Sequence, residues 1–181
     1  MTQRISVTRE VARGKIYVAG VILIAAVACA PTVPSAEVAE SPSNFPDISG
    51  CTQADIARYD QVNRPRAQGF MFISPSGLIC ASNTYPDNAY ERVSCRGQLP
   101  QKGPGDWSVT AGKGLAGVVK PISGDPDLQR DRVNPPPLLS PMHKLTATKG
   151  DAICAVDDKG MTACRTGDHG FVITPTSTQL F

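Results

Sequence analysis

The chain reads as a mainly β protein: a small antiparallel sheet or barrel-like domain with disulfide-stapled hairpins and one short N-terminal helix. Three observations predict this. Short β-rich segments recur from residue 68 to the C-terminus, separated by Gly/Pro turn clusters. Sixteen glycines and sixteen prolines punctuate the 181 residues, with no long helical period. Several cysteines sit symmetrically about plausible chain reversals.

The elements follow in order. Residues 52–62 are the helix candidate. Thr52 can cap it, with Asp55 three residues on, an acidic variant of the capping box. Ala54, Ile56, Ala57 and Val62 supply a thin apolar stripe, and Pro65 ends the segment because proline disfavours helix at the residue before it. Gly69-Phe-Met-Phe-Ile73 is a compact apolar run, and Ser74-Pro-Ser-Gly77 is a turn cluster. Leu78-Ile-Cys-Ala81 leads away from it. In 91–96, Val93 and Cys95 fall on one face and Arg92, Ser94 and Arg96 on the other. Further strands are expected at 107–110, 117–120, 144–148, 151–156, 161–166 and 170–173, with 177–181 closing a sheet. Residues 121–141 carry six prolines and alternating charges. They read as a crossover loop, with Pro135-Pro136-Pro137-Leu138-Leu139 as a lesser candidate for a polyproline ligand.

Five cysteines follow Cys29: Cys51, Cys80, Cys95, Cys154 and Cys164. No Cys-x-x-Cys spacing occurs, so zinc knuckles and dithiol redox centres are unsupported. Disulfides are expected instead. A turn at Asp158-Lys159-Gly160, with Gly160 left-handed, sets Cys154 opposite Cys164. A Pro86-Asp-Asn-Ala89 loop sets Cys80 opposite Cys95. Directly opposed residues on antiparallel strands lie about 4.5–5.5 Å apart at Cα, close enough for a disulfide. Cys51 is then unpaired, unless a retained Cys29 bridges to it.

The N-terminus is an export signal. Arg4, Arg9, Arg13 and Lys15 precede an apolar run that ends Ala26-Val27-Ala28-Cys29. From Ile16 to Ala30 the run is 15 residues, short of the about 20 a spanning helix needs. Its ending resembles a bacterial lipobox, which makes Cys29 the lipidation site and residues 1–28 a signal peptide. An uncleaved anchor is the rival. Residues 29–50 read as a disordered tether rich in proline and small residues, residues 51–67 as the helix and its lead-in, and 68–181 as the β domain. The expected place is the outer face of the cell membrane, held there by the lipid anchor, or free secretion.

Charge narrows the partners. Four of the eighteen basic residues and one of the sixteen acidic residues precede Cys29, which leaves 14 against 15. Nucleic acid is excluded as a ligand class on this balance, and so is a polybasic membrane-binding surface.

Phe72-Ile-Ser-Pro-Ser-Gly-Leu-Ile-Cys80, Val-Ser-Cys-Arg96, Ala-Ile-Cys154, Gly-Met-Thr-Ala-Cys-Arg165 and Gly-Asp-His-Gly-Phe171 carry a resemblance. The chain resembles a family of small exported actinobacterial, especially mycobacterial, proteins of unknown function. Their pattern is F-x-S-P-S-G-N-I-x-C, a later cysteine, and a C-terminal C…G…C-R followed by G-H-G-F. Leu78 stands where that family has Asn, and no cysteine pair lies between Cys95 and Cys154. The resemblance implies a secreted, disulfide-stapled domain and no particular activity.

No catalytic constellation assembles. There is no G-x-S-x-G, no H-E-x-x-H and no phosphate-binding loop; Gly112-Lys113-Gly114 reads as a hairpin turn. Asp168-His169 could orient an imidazole, but Gly-flanked neighbours usually serve turn geometry. His143 has no visible partner. Asp157-Asp158 could meet a hard cation, but such pairs are usually solvated. Trp107 reads as a packing residue. No cofactor and no metal are called for. Two functions of different classes stand: a non-enzymatic envelope module that binds a protein, lipid or glycan, and a small secreted hydrolase whose site is assembled from sequence-distant residues.

Overall fold

A computed structural model describes residues 44–61 and 64–181. The signal segment, Cys29 and most of the expected tether lie outside the described residues, as does Val62. The described residues form one compact unit.

The unit is built from two antiparallel meanders of five strands each. The N-terminal sheet runs in chain order β2 (Met71–Ile73), β3 (Ile79–Asn83), β4 (Arg92–Gly97), β5 (Trp107–Gly112) and β6 (Leu115–Pro121). The C-terminal sheet runs β7 (His143–Thr146), β8 (Ile153–Val156), β9 (Thr162–Thr166), β10 (His169–Ile173) and β11 (Thr178–Leu180). β1 (Thr52–Gln53) adds a parallel edge strand beside β7. The ten strands expected from 68 onward all form, with ends shifted by up to two residues at most positions.

Alternation in each strand sends one side chain set inward. Phe72, Cys80, Val93, Cys95 and Val109 from the first sheet meet Leu145, Cys154, Val156, Cys164, Phe171 and Ile173 from the second in one core. Both disulfides are inside it, with all four cysteines at 0 % exposure. Cys80 pairs with Cys95 and Cys154 with Cys164, each pair directly opposed in register, with Cα atoms 4.0 and 4.1 Å apart. Gly160 takes the positive φ (87°) that the second turn demands.

The two meanders repeat one plan. In each, the disulfide joins the second strand to the third, inside Ile-Cys-Ala on one and Cys-Arg on the other: Ile79-Cys80-Ala81 with Cys95-Arg96, and Ile153-Cys154-Ala155 with Cys164-Arg165. Each arginine lies on the outer face, where it meets the cover of its own sheet. Arg165 stacks 5.2 Å from the Phe45 ring. Arg96 reaches Asp131 in the crossover between the sheets.

Two expectations are corrected. The helix expected over 52–62 is a four-residue 3-10 turn, Ile56–Tyr59, capped by Asp55, whose side chain accepts from the Ala57 N–H. Thr52 does not cap. Its N–H donates to Met142 O at 2.8 Å, and the Ala54 N–H donates to Lys144 O at 2.9 Å. Pairing with β7 therefore takes the backbone groups a longer helix would use, and the apolar stripe was too thin to compete. The end of the expected tether is likewise packed: half-buried Phe45 lies against Phe181, ring centroids 6.2 Å apart.

The crossover between the meanders, expected as a loop, also departs from expectation: it holds the one α-helix of the described residues, α1 (Pro126–Val133). Asp125 caps it by accepting from the Leu128 N–H at 2.8 Å, and Pro126 at the first turn has the φ a helix start needs and no N–H to waste. Leu128 buries against Met71 and Ile79 on the outer face of the N-terminal sheet. Asp131, with 0 % exposure, receives Arg96 at 2.7 Å and also Arg64. The Pro135-Pro136-Pro137-Leu138-Leu139 segment is not free to serve as a ligand. The Ile73 N–H donates to Pro137 O and the Leu139 N–H to Ile73 O, both at 3.0 Å. Leu139 is fully buried.

Candidate binding cleft

Helix α1 roofs only part of the outer face of the N-terminal sheet. It covers β2 and β3 and ties to β4 through Arg96. Over β5 and β6 that face stays open, between the 3-10 turn Asn88–Tyr90 on one side and Ile122 on the other. The result is a cleft of about 450 Å³, within the range of small-molecule sites.

Strand register places each lining side chain. Val109 and Ala111 point into the core, so Ser108, Thr110 and Gly112 face outward. Opposite them stand Lys120 against Ser108, Val118 against Thr110, and Arg92 against Gly112. The Ser108 and Thr110 hydroxyls lie 3.3 Å apart on the cleft floor. Tyr90, Leu115 and Val118 are 61 %, 69 % and 47 % exposed, a cluster of large apolar groups that folding has left uncovered.

The electrostatics are one-sided. Arg92, Lys113 and Lys120 surround the cleft. Lys113 is taken by Asp151 at 2.9 Å, and that hydrogen bond raises the ammonium above the usual lysine range. Among the described residues neither Arg92 nor Lys120 forms an ion pair. The single acid of the wall, Glu91, turns its carboxylate away. It accepts from the Asp151 and Ala152 N–H groups and from the Thr166 hydroxyl at 2.6 Å, and is 1 % exposed. The free charge facing the cleft is positive.

Other sequence candidates fall elsewhere. His169 begins β10, and no hydrogen bond joins it to Asp168; its Nδ1 is buried without a partner among the described residues. His143 Nδ1 contacts Pro141 O at 2.8 Å. Asp157 closes the β8–β9 turn, accepting from the Lys159 and Met161 N–H groups. No group of acidic, histidine or cysteine side chains among the described residues is arranged to hold a metal. Trp107 packs against the core as expected, and Gly112-Lys113-Gly114 is the β5–β6 turn. Cys51 is a free, buried thiol, and burial raises its pKa.

Sequence reasoning passed over the cleft. One signal was legible: from Leu115 to Val119 apolar residues occupy both faces of β6, where alternation would place polar groups outward.

No protein-family model, no curated protein and no solved structure matches the chain. The two disulfides fit an oxidising compartment and an exported protein. Among the described residues, no helix is long and apolar enough to cross a membrane.

Proposed function

We propose that the chain is an exported cell-envelope protein, held at the outer face of the membrane by acylated Cys29, whose β domain is a non-enzymatic binding module. We further propose that it belongs to the small exported actinobacterial family whose motifs it resembles. The observation that carries the binding reading is the open cleft, in which exposed Tyr90, Leu115 and Val118 stand beside Arg92 and Lys120, two cations without an ion pair among the described residues. The non-enzymatic reading rests on the missing nucleophile–base motifs of the sequence.

The test is photocross-linking in living cells. A photoreactive residue replaces Leu115 in the cleft, and, as a control, Val133 on the exposed side of α1 (78 % exposed). Adducts at 115 and none at 133 are expected. Equal labelling at both positions, or none at 115, overturns the cleft as the binding surface.

A further inference from the structure

The identity of the occupant rests on that reading of the cleft and goes one step past it. We propose that the cleft takes an anionic amphiphile, one apolar chain carrying a phosphate or carboxylate head, as in a lipid. The order of side chains along β5 and β6 carries the assignment. At one end the Lys120 ammonium stands opposite Ser108, with the Thr110 hydroxyl next on the floor. These are an ammonium and two hydroxyl donors facing outward, a set suited to an oxyanion. Toward the other end come Val118, then Leu115 and Tyr90, all exposed and apolar. From Ser108 to Gly112 the floor spans about 13 Å at strand rise. A head placed at Lys120 thus leaves a tail lying along an apolar wall, and Arg92 at the far end adds to the positive field.

Rival occupants fit less well. A second copy of the chain would meet this face with the same face, and a two-fold contact sets Arg92, Lys113 and Lys120 near their own symmetry mates. A peptide strand would seek main-chain donors and acceptors at a sheet edge, whereas the cleft floor is a sheet face made of side chains. A glycan platform needs several aromatic faces, and the cleft has Tyr90 alone.

The experiment is calorimetric titration of the full chain carrying Cys29→Ala, which removes the acylation site. The probe is decyl phosphate below its micelle concentration, compared with decanol and with inorganic phosphate. Decyl phosphate is expected to bind one to one and roughly tenfold tighter than decanol, with inorganic phosphate alone failing to compete. Lys120→Glu and Val118→Asp should each weaken decyl phosphate about tenfold, and Lys159→Glu, on the opposite sheet, should not. Equal affinity for decanol and decyl phosphate, or an unchanged Lys120→Glu protein, overturns the anionic-amphiphile assignment. So does a peptide or glycan adduct at position 115, which would leave the cleft itself standing as the binding surface. Absence of any adduct at 115 removes the cleft reading, and the two failures are thereby separated.

Discussion

The Thr166 hydroxyl donates to the Glu91 carboxylate at 2.6 Å, across 75 residues of sequence and from one sheet to the other. Glu91 also accepts from two backbone N–H groups, of Asp151 and Ala152, in the β7–β8 loop. A buried charge is tolerated when it is this fully hydrogen-bonded. Removing it strands two buried donors, the Ala152 N–H and the Thr166 hydroxyl, beside the part-buried Asp151 N–H. Glu91→Ala should therefore cost about 3–5 kcal/mol in urea unfolding, and Thr166→Val about 1–2 kcal/mol. A loss below about 1 kcal/mol for Glu91→Ala would mean that the network is not a clasp between the sheets. The same site explains Gly150: its φ is +84°, and a Cβ there would stand 2.1 Å from the Glu91 Oε1.

Helix α1 is held by an apolar anchor, Leu128, by the buried acid Asp131, and by the two hydrogen bonds Arg132 donates to Asp106. Leu128→Ala opens a cavity between α1 and the sheet and should cost about 2–4 kcal/mol. Asp131→Ala leaves Arg64 and Arg96 without their shared partner and should cost a comparable amount, about 3 kcal/mol. Hydrogen exchange is the discriminating measurement. Both variants should raise exchange selectively over 126–133, and a uniform rise across both sheets would show that α1 is not a separable cover.

The disulfides close loops with sequence separations of 15 and 10 residues. Replacing either pair by alanine should lower stability by about 2–3 kcal/mol in the chain-entropy account. Arg92 lies between the first two cysteines and Lys159 between the second two. Trypsin digestion of the denatured, unreduced chain should cut at both and leave each pair of fragments joined in the mass spectrum. Any fragment linking Cys51 to one of these four cysteines contradicts the pairing.

Cys51 is a buried thiol whose pKa is raised chiefly by desolvation. The thiolate is the nucleophile, so alkylation of Cys51 in the folded chain should be slow at neutral pH. It should accelerate only above the usual thiol range, and unfolding should abolish the delay. The stability consequence has a definite sign. The folded state keeps its proton to higher pH than the unfolded state does, so this contribution is full below the unfolded thiol pKa. It is lost as pH rises through the folded value. Rapid labelling of Cys51 at neutral pH in the native protein would contradict its burial.

Cys29→Ala should block acylation and shift the protein from the membrane fraction to the medium or to an unprocessed form. Fractionation and intact mass follow both. Two acyl chains hold a protein stably where one does not, so the shift should be nearly complete. Unchanged partition and processing would instead favour an uncleaved N-terminal anchor.

Local chemistry determined most of the secondary structure here. Period-two alternation or a compact apolar run, set between Gly/Pro turns, marks the ten strands of the two meanders, because a half-buried strand alternates and a tight reversal needs special dihedrals. Turn symmetry alone placed Cys80 against Cys95 and Cys154 against Cys164, since opposed positions in a hairpin follow from where the chain turns. Other features were decided by tertiary structure. Thr52 and Ala54 became partners of β7 because a distant strand offered carbonyls to their N–H groups. Phe45 left the expected tether because Phe181 and Arg165 gave it a surface. Residues 126–133 read as part of a crossover loop, and their weakly apolar sequence becomes a helix because the Met71–Ile79 face holds Leu128. The cleft is the furthest from sequence. Tyr90, Arg92, Leu115, Val118 and Lys120 become one surface only when β4, β5 and β6 pair in register and α1 stops short of covering them. Both are long-range events, and no local pattern encodes where a distant helix ends its cover.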